Sequence, residues 1–234
     1  MFDVHCHMLP GIDDGSKNVD MSLEMIRRSV EQGIEGIIFT PHFYADMNSP
    51  ETFLARRARA LGELEANLDK LPEVPAYTTG SEVHYFRGIS RIKDLESLCI
   101  GKSDYILIEM PFRDWQPYMV DEVEEISKVL GLRIIIAHIE RYFDQDKRLV
   151  NRLLENPDFL IQCNAEFFIE RRTQSKAIRM LKKGGIDLLA SDSHNLDSRK
   201  PNIAEALDII VKKDKKGALD HIWHTGNRIF EAAL

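Results

Sequence analysis

The apolar runs of this sequence end, one after another, in side chains that can bind a metal ion. The runs at residues 1–4 and 186–191 are each followed by two such side chains separated by one residue. In chain order the eight side chains at these ends are His5, His7, His42, Glu82, Glu109, His138, Asp192 and His194. Imidazole and carboxylate groups without an obvious thiolate suit Mn²⁺, Fe²⁺, Zn²⁺ or Mg²⁺. The pattern predicts a metalloenzyme.

Each of these residues alone is weak evidence. The motif His5-Cys6-His7 is common by chance, and the turn Asp13-Asp14-Gly15 is a frequent loop signal. A glutamate that ends an apolar strand can face solvent, but its burial is costly unless it is paired or metal-bound. With Asp14 included, the nine candidates exceed the four to six ligands of one ion, which indicates two or three ions with a bridging carboxylate.

Strand-like and helix-like segments alternate along the chain. The strand-like runs centre on residues 2–5, 35–40, 76–81, 104–109, 132–137, 158–163 and 186–191. Helical periodicity begins at Val19 and near Pro50, stopping at Gly33 and after Leu71, and further helices fit residues 121–130, 148–155, 173–183, 203–212 and 217–233. Near-continuous apolar strands are typical of parallel strands buried on both faces.

This alternation predicts an α/β fold, with residues 1–234 as a single domain. An open doubly wound sheet gathers its ligands mainly at one switch point, whereas a closed barrel brings the ends of many strands to one place. The metal pattern therefore favours a closed or nearly closed β/α barrel of seven strands. Strand count alone does not exclude the open sheet.

The composition argues against several classes of partner. A formal charge of −7 disfavours a general nucleic-acid or anionic-membrane partner. No apolar run approaches the roughly 18 to 20 residues that cross a bilayer. The sequence opens without the features of a signal peptide, and its three cysteines form no pairing pattern. We therefore expect a cytoplasmic protein.

Several motifs, taken together, resemble the polymerase and histidinol phosphatase (PHP) superfamily. They are residues 2–10 (FDVHCHMLP), 13–15 (DDG), 40–42 (TPH), 137–141 (AHIER) and 190–195 (ASDSHN). The DDG turn, the HIER motif and SDSHNLD followed by Arg199 are similar, more narrowly, to the bacterial protein-tyrosine phosphatases of capsular and exopolysaccharide operons. The resemblance covers nearly the whole chain.

This resemblance implies a distorted seven-stranded, TIM-like β/α barrel of the PHP type that holds three divalent ions, usually Mn²⁺. The first ion would be held by His5, His7, Glu82 and Asp192; the second by Glu82, Glu109 and His138; the third by Asp14, His42 and His194. Arg141 and Arg199 fall on the family's phosphate-binding arginines. His84 stands where these phosphatases supply no ligand.

The implied activity is hydrolysis of phosphotyrosine on proteins, with an autophosphorylated bacterial tyrosine kinase as the expected substrate. A hydroxide bridging two metals is a nucleophile at neutral pH, and the same ions bind phosphoryl oxygens for in-line attack. The arginines add planar donors that match phosphate. Aromatic residues beyond the strand ends are candidates to wall a slot for the phenyl ring: Phe43, Tyr44, Phe112, Trp115 and Phe143.

The cysteine-dependent phosphatase mechanism is excluded by the sequence. It needs an arginine six positions after the cysteine, where Cys6, Cys99 and Cys163 have Ile12, Tyr105 and Ile169. Cys6 lies between two ligands and is expected in the core. The alternatives that stay open are a histidinol-phosphate phosphatase or other small-molecule PHP enzyme, and a non-catalytic metal-binding module.

Overall fold

Parallel strands and helices alternate in the computed structural model, which describes residues 1–213 and 217–234. The strands are Phe2–Cys6 (β1), Gly36–Phe39 (β2), His42–Phe43 (β3), Ala76–Thr79 (β4), Glu82–His84 (β5), Tyr105–Glu109 (β6), Arg133–Ile136 (β7), Phe159–Asn164 (β8) and Leu188–Ala190 (β9). The α-helices are Val19–Glu31 (α1), Pro50–Glu65 (α2), Pro117–Leu130 (α3), Lys147–Leu154 (α4), Glu166–Ile169 (α5), Gln174–Lys182 (α6), Ile203–Lys213 (α7) and Ala218–Ala233 (α8).

The strands form a curled parallel sheet. Strands β1, β2 and β4 pair in one part, and β3, β5, β6, β7, β8 and β9 pair in order in the other. Near the carboxyl ends of β1 and β9, the Asp192 backbone N–H donates to the carbonyl of His5, and that of His7 donates to the carbonyl of Ser193, both at 2.9 Å. The first and last strands therefore meet at their carboxyl ends.

The predicted count of seven strands is not confirmed, because the described residues form nine. Two predicted runs are each interrupted, the second by Thr40-Pro41 and the third by Gly80-Ser81. Pro41 has no N–H to donate to a neighbouring strand. A Cβ on Gly80 would lie 2.9 Å from the Ile100 side chain, so the chain passes too close for a larger residue.

The predicted helices are confirmed with shifted ends. Helix α3 begins at Pro117, four residues before the predicted start, because proline suits the first turn, where its missing N–H has no intrahelical partner. Helix α2 ends at Glu65, and a 3₁₀ turn covers Leu68–Lys70. The four-residue helix α5 was not predicted, since it is too short for a periodic stripe. No helix within residues 1–213 and 217–234 has the length and apolar character needed to cross a membrane.

An apolar cluster inside the curled sheet forms the floor of the candidate site. It includes Phe2 and Val4 of β1, Leu107 of β6, Ala190 of β9 and Phe230 of α8. Side chains two residues apart on a strand share a face, so Glu109 follows Leu107 on the inner side. Asp192 stands two residues beyond Ala190, the last residue of β9. The fold thus places these carboxylates directly above the apolar floor.

Candidate metal centre

The predicted ligands converge at the carboxyl ends of the strands. Three groups each bring one ligand atom per residue within 4.8 Å of one another: His5, His7 and Asp192; His7, Asp14, His42 and His194; and His42, Glu82 and Glu109. The ninth residue joins them, because His138 Nε2 lies 2.8 Å from Glu82 Oε1 and 3.5 Å from Glu109 Oε1. The structure brings all nine predicted residues together.

Unusual backbone conformations direct some of these side chains. His138 and Asp192 have φ values of 29° and 50°, in a region that costs a non-glycine residue about 1–3 kcal/mol. Strand β1 is irregular between Asp3 and Cys6, which lets His5 and His7 face the side that Phe2 and Val4 occupy lower down. Strain of this kind clusters at functional sites.

His5 and His7 are oriented by hydrogen bonds on their Nδ1 atoms. His5 Nδ1 lies 3.2 Å from Gln162 Oε1, and His7 Nδ1 lies 2.8 Å from Asp13 Oδ2. The two Nε2 atoms consequently face one another at 3.2 Å. A histidine that binds a metal through one nitrogen usually donates through the other to an oxygen. The arrangement therefore fits two ligands of one ion.

Asp13 contacts a predicted ligand, and the sequence analysis did not identify it. Besides His7, its carboxylate accepts hydrogen bonds from the backbone N–H groups of Gly15 and His42, both at 3.0 Å. The turn needs glycine, because a Cβ on Gly15 would lie 2.2 Å from the His7 carbonyl oxygen. The neighbouring Asp14 is 66% exposed and lies 3.5 Å from His42 and His194. Asp13 thus orients His7, while the exposed carboxylate of Asp14 is accessible for binding a metal ion.

Glu82 lies at the middle of the centre. Its Oε2 is 2.8 Å from His42 Nδ1 and 3.2 Å from His7 Nε2. Burial opposes ionisation of Glu82, but the surrounding histidines, His5 and His42 first, hold its pKa well below the usual value. Its other oxygen faces His138. One carboxylate thus touches histidines from each of the three predicted ion sites.

Several buried atoms at this centre lack hydrogen bonds. They are Asp192 Oδ1 and His194 Nε2, together with His42 Nδ1 and Glu82 Oε2, which lie 2.8 Å apart without forming a hydrogen bond. A buried polar atom without a partner costs about 1–3 kcal/mol, and an isolated case calls for an explanation. All four belong to predicted ligands, and divalent ions bound among these side chains would supply the missing partners. The residues present therefore fit a metal centre.

Asp192 connects the centre to two arginines. Its Oδ2 accepts from Arg141 Nη2 at 2.7 Å, from Arg199 Nη2 at 2.8 Å and from Asn164 Nδ2 at 2.8 Å. Its Oδ1 faces His5 and lies 3.5 Å from Nε2. Each arginine side chain is 31% exposed. The guanidinium groups therefore line the accessible side of the centre, where an anion would arrive.

Other polar residues contact the predicted ligands, and the sequence analysis assigned no role to them. Besides His5, Gln162 accepts a hydrogen bond from the backbone N–H of His138 at 2.7 Å and donates to Asn164 at 2.8 Å. His84, whose role was left open, places Nδ1 2.7 Å from Glu109 Oε2 and is 29% exposed. His84 thus contacts the predicted ligand Glu109 where the centre borders solvent.

The five aromatic residues predicted to wall a phenyl slot divide into two groups. Phe43 and Trp115 are buried in the core, and Phe143 packs on Phe167. Tyr44 and Phe112 line a cavity beside the centre. Phe112 is 57% exposed, and its ring stacks 6.1 Å from that of His138 at an interplanar angle of 19°. Of the five predicted residues, Tyr44 and Phe112 are therefore the two that a substrate in this cavity could contact.

Comparisons with known proteins cover nearly the whole chain. The sequence model of the family described as "Capsular polysaccharide synthesis, CpsB/CapC" matches residues 1–230. The chain is 30% identical to the tyrosine-protein phosphatase CpsB of Streptococcus pneumoniae, covering 91% of this chain and 90% of that protein. It is 29% identical to the tyrosine-protein phosphatase YwqE of Bacillus subtilis, covering 91% and 85%.

Solved structures agree with the sequence matches. The structure described as YwqE from Bacillus subtilis and CpsB from Streptococcus pneumoniae, "unique metal-dependent tyrosine phosphatases", superimposes with a TM-score of 0.81 at 25% identity. The superposition covers 100% of this chain and 96% of the chain in that structure. A TatD-like protein from Archaeoglobus fulgidus matches with a TM-score of 0.55 at 13% identity, covering 99% and 100%, and supports the fold alone.

Proposed function

Since the chain belongs to the CpsB/CapC family of capsular polysaccharide synthesis, we propose that its metal centre removes phosphate from phosphotyrosine on proteins. The chain is a metal-dependent tyrosine-protein phosphatase, as its relatives' names and the matching structure indicate. The observation that carries this function is the meeting of nine candidate ligands with two partly exposed arginines at one end of the sheet.

We infer that the centre holds three ions, with Mn²⁺ as the expected metal. His5, His7, Glu82 and Asp192 would hold the first ion; Glu82, Glu109 and His138 the second; Asp14, His42 and His194 the third. The contacts of Glu82 on several sides support its role as a bridge. Oxygen and imidazole donors in this mixture suit Mn²⁺, Fe²⁺, Zn²⁺ or Mg²⁺.

Bound divalent ions supply a nucleophile at neutral pH and neutralise charge on the phosphoryl oxygens. Arg141 and Arg199 each use Nη2 on Asp192, which fixes the guanidinium planes and leaves further N–H donors for phosphate. Planar donors of this kind match phosphate oxygens in pairs. Such groups stabilise the charge that develops in the transition state without having to reorganise.

The remaining finer inferences concern the fold and the setting. We infer that β2 with β3, and β4 with β5, each act as one interrupted strand, so that one domain over residues 1–234 has a seven-stranded ring. The backbone hydrogen bonds from Gly80 to Phe39 and from Glu82 to Pro41 support this. We propose an autophosphorylated bacterial tyrosine kinase as substrate. Three free, buried cysteines support a reducing, cytoplasmic setting.

A comparison of substrates tests the proposed function. The purified protein with Mn²⁺ would be assayed on a phosphotyrosine peptide, on the same peptide with phosphoserine, and on histidinol phosphate. We expect the phosphotyrosine peptide to have the highest kcat/KM, because a phenolate (pKa about 10) leaves more easily than an alkoxide. Preference for histidinol phosphate would contradict the proposal in favour of a small-molecule phosphatase.

Replacing Cys6 tests whether its thiol takes part in the reaction. Cys6 is fully buried, with Sγ 3.5 Å from the Ile38 carbonyl oxygen. Its burial and the charge of Asp3 raise its pKa well above the ordinary value, so the thiolate that would attack phosphate is disfavoured. We expect Cys6→Ser to keep kcat within about tenfold, or roughly 1.4 kcal/mol in the barrier. Trapping of a phosphocysteine would overturn the metal-dependent mechanism.

A further inference from the structure

A cavity of about 630 Å³ opens directly beside the metal centre. Its lining includes Tyr44, His84, Phe86, Arg87, Phe112 and Arg113. The volume falls in the range of about 300–1,000 Å³ that is typical of ligand sites. Two contacts join the cavity to the centre: His84 hydrogen bonds to Glu109 at 2.7 Å, and the ring of Tyr44 lies 5.2 Å from that of His42. A group bound at the centre would extend naturally into this space.

Two exposed arginines give this cavity a local positive charge. Arg87 and Arg113 line it together with one carboxylate, Asp46. The two arginines and one aspartate give the cavity lining a formal charge of +1, although the formal charge of the whole chain is −7. Within residues 1–213 and 217–234 neither guanidinium forms an ion pair with a carboxylate, and Arg87 lies over the Tyr118 ring at 5.4 Å. Both arginines are therefore available to a partner.

We propose that this cavity binds the peptide segment next to the phosphotyrosine, and that Arg87 and Arg113 select acidic side chains in it. This inference rests on the proposed function. The wall formed by Phe112 and Tyr44 is apolar and lies at the border with the centre, where the phenyl ring must pass. The arginines line the same cavity, where neighbouring peptide residues would follow. Charge complementarity of this kind provides specificity more than raw affinity.

The test compares a phosphotyrosine peptide flanked by glutamates, its glutamine counterpart, and p-nitrophenyl phosphate, all with Mn²⁺. We expect the wild-type protein to prefer the glutamate peptide by roughly tenfold in kcat/KM, as two exposed charge pairs would give. The double variant Arg87→Gln/Arg113→Gln should lose this preference through KM. For the glutamine peptide and p-nitrophenyl phosphate, the kcat/KM of the double variant should stay within about twofold of the wild-type value. Added salt should weaken the wild-type preference.

Arg228→Gln is the matched control. Arg228 is an exposed arginine on α8 that lines a cavity with Tyr105 and Gly131, at the opposite ends of the strands. This variant should keep the full preference for the glutamate peptide. Circular dichroism and thermal melting would verify that both variants fold like the wild-type protein.

Three outcomes would overturn the inference: equal kcat/KM of the wild-type protein for both peptides, a matching loss in Arg228→Gln, or a loss on p-nitrophenyl phosphate as large as that on the glutamate peptide. A loss of that size on p-nitrophenyl phosphate would mean that Arg87 and Arg113 act at the metal centre and not on the peptide. Failure of the wild-type protein on all three substrates is a different result, since it would overturn the proposed function. The two failures are thus distinguishable.

Discussion

Glu82→Ala is expected to lower the metal content by more than one ion per chain and to reduce turnover by about 10²–10³-fold or more. The reason is the position of Glu82, whose two oxygens contact His7 and His42 on one side and His138 on the other. Its removal takes a negative charge from the middle of a histidine-rich cluster. Elemental analysis and a phosphotyrosine assay on the purified variant measure both effects.

Glu122→Ala is the control for the loss of a buried carboxylate. Glu122 is 7% exposed and accepts hydrogen bonds from the Tyr85 hydroxyl and the Gly88 backbone, away from the ligand groups. This variant should melt at a lower temperature while it retains its metal. A full metal complement in Glu82→Ala would show that Glu82 is no bridge.

Arg141→Ala and Arg199→Ala are each expected to lose about 10²-fold or more in kcat/KM while they keep their metal. Both arginines donate to Asp192 Oδ2, so that either one, with Asn164, still holds the carboxylate in place. What each variant lacks is a donor to the phosphate. Kinetics together with metal analysis separate binding of ions from stabilisation of the transition state.

Lysine at the same positions provides a graded comparison. Lys keeps the charge but lacks the planar pair of donors, so Arg141→Lys and Arg199→Lys should recover only part of the lost kcat/KM. Loss of metal from the alanine variants would contradict the assigned roles, because it would make the arginines supports of the metal centre and not phosphate ligands.

The candidate site could be read from the sequence because its residues stand at the ends of apolar strands. Parallel strands bring their carboxyl ends to one edge, and this alone placed Asp192 beside His5 and His7 and Glu109 beside His138. The specific ion sets and the arginine roles came from the resemblance to a family, not from spacing. They remain proposals that the geometry supports.

The residues that were missed act through contacts between distant parts of the chain. Gln162 reaches His5 across 157 residues, and no local pattern predicts such a pair. Asp13 stands in a turn that was noticed, but adjacent aspartates look alike until the backbone decides which one points inward. The same uncertainty affected the aromatic residues, since Phe43 and Tyr44 are neighbours on opposite sides of the chain. The strand interruptions, by contrast, had visible signals in Pro41 and Gly80.

Removal and return of the metal test whether this protein needs bound ions for turnover. The protein would be treated with a chelator, dialysed, checked by elemental analysis and assayed on a phosphotyrosine peptide before and after addition of Mn²⁺. We predict that turnover falls to background in the metal-free protein and returns on addition of the ion, because the nine predicted ligands converge on one centre that would hold it. Full turnover by a protein verified to be free of metal would show that the reaction does not depend on a metal ion.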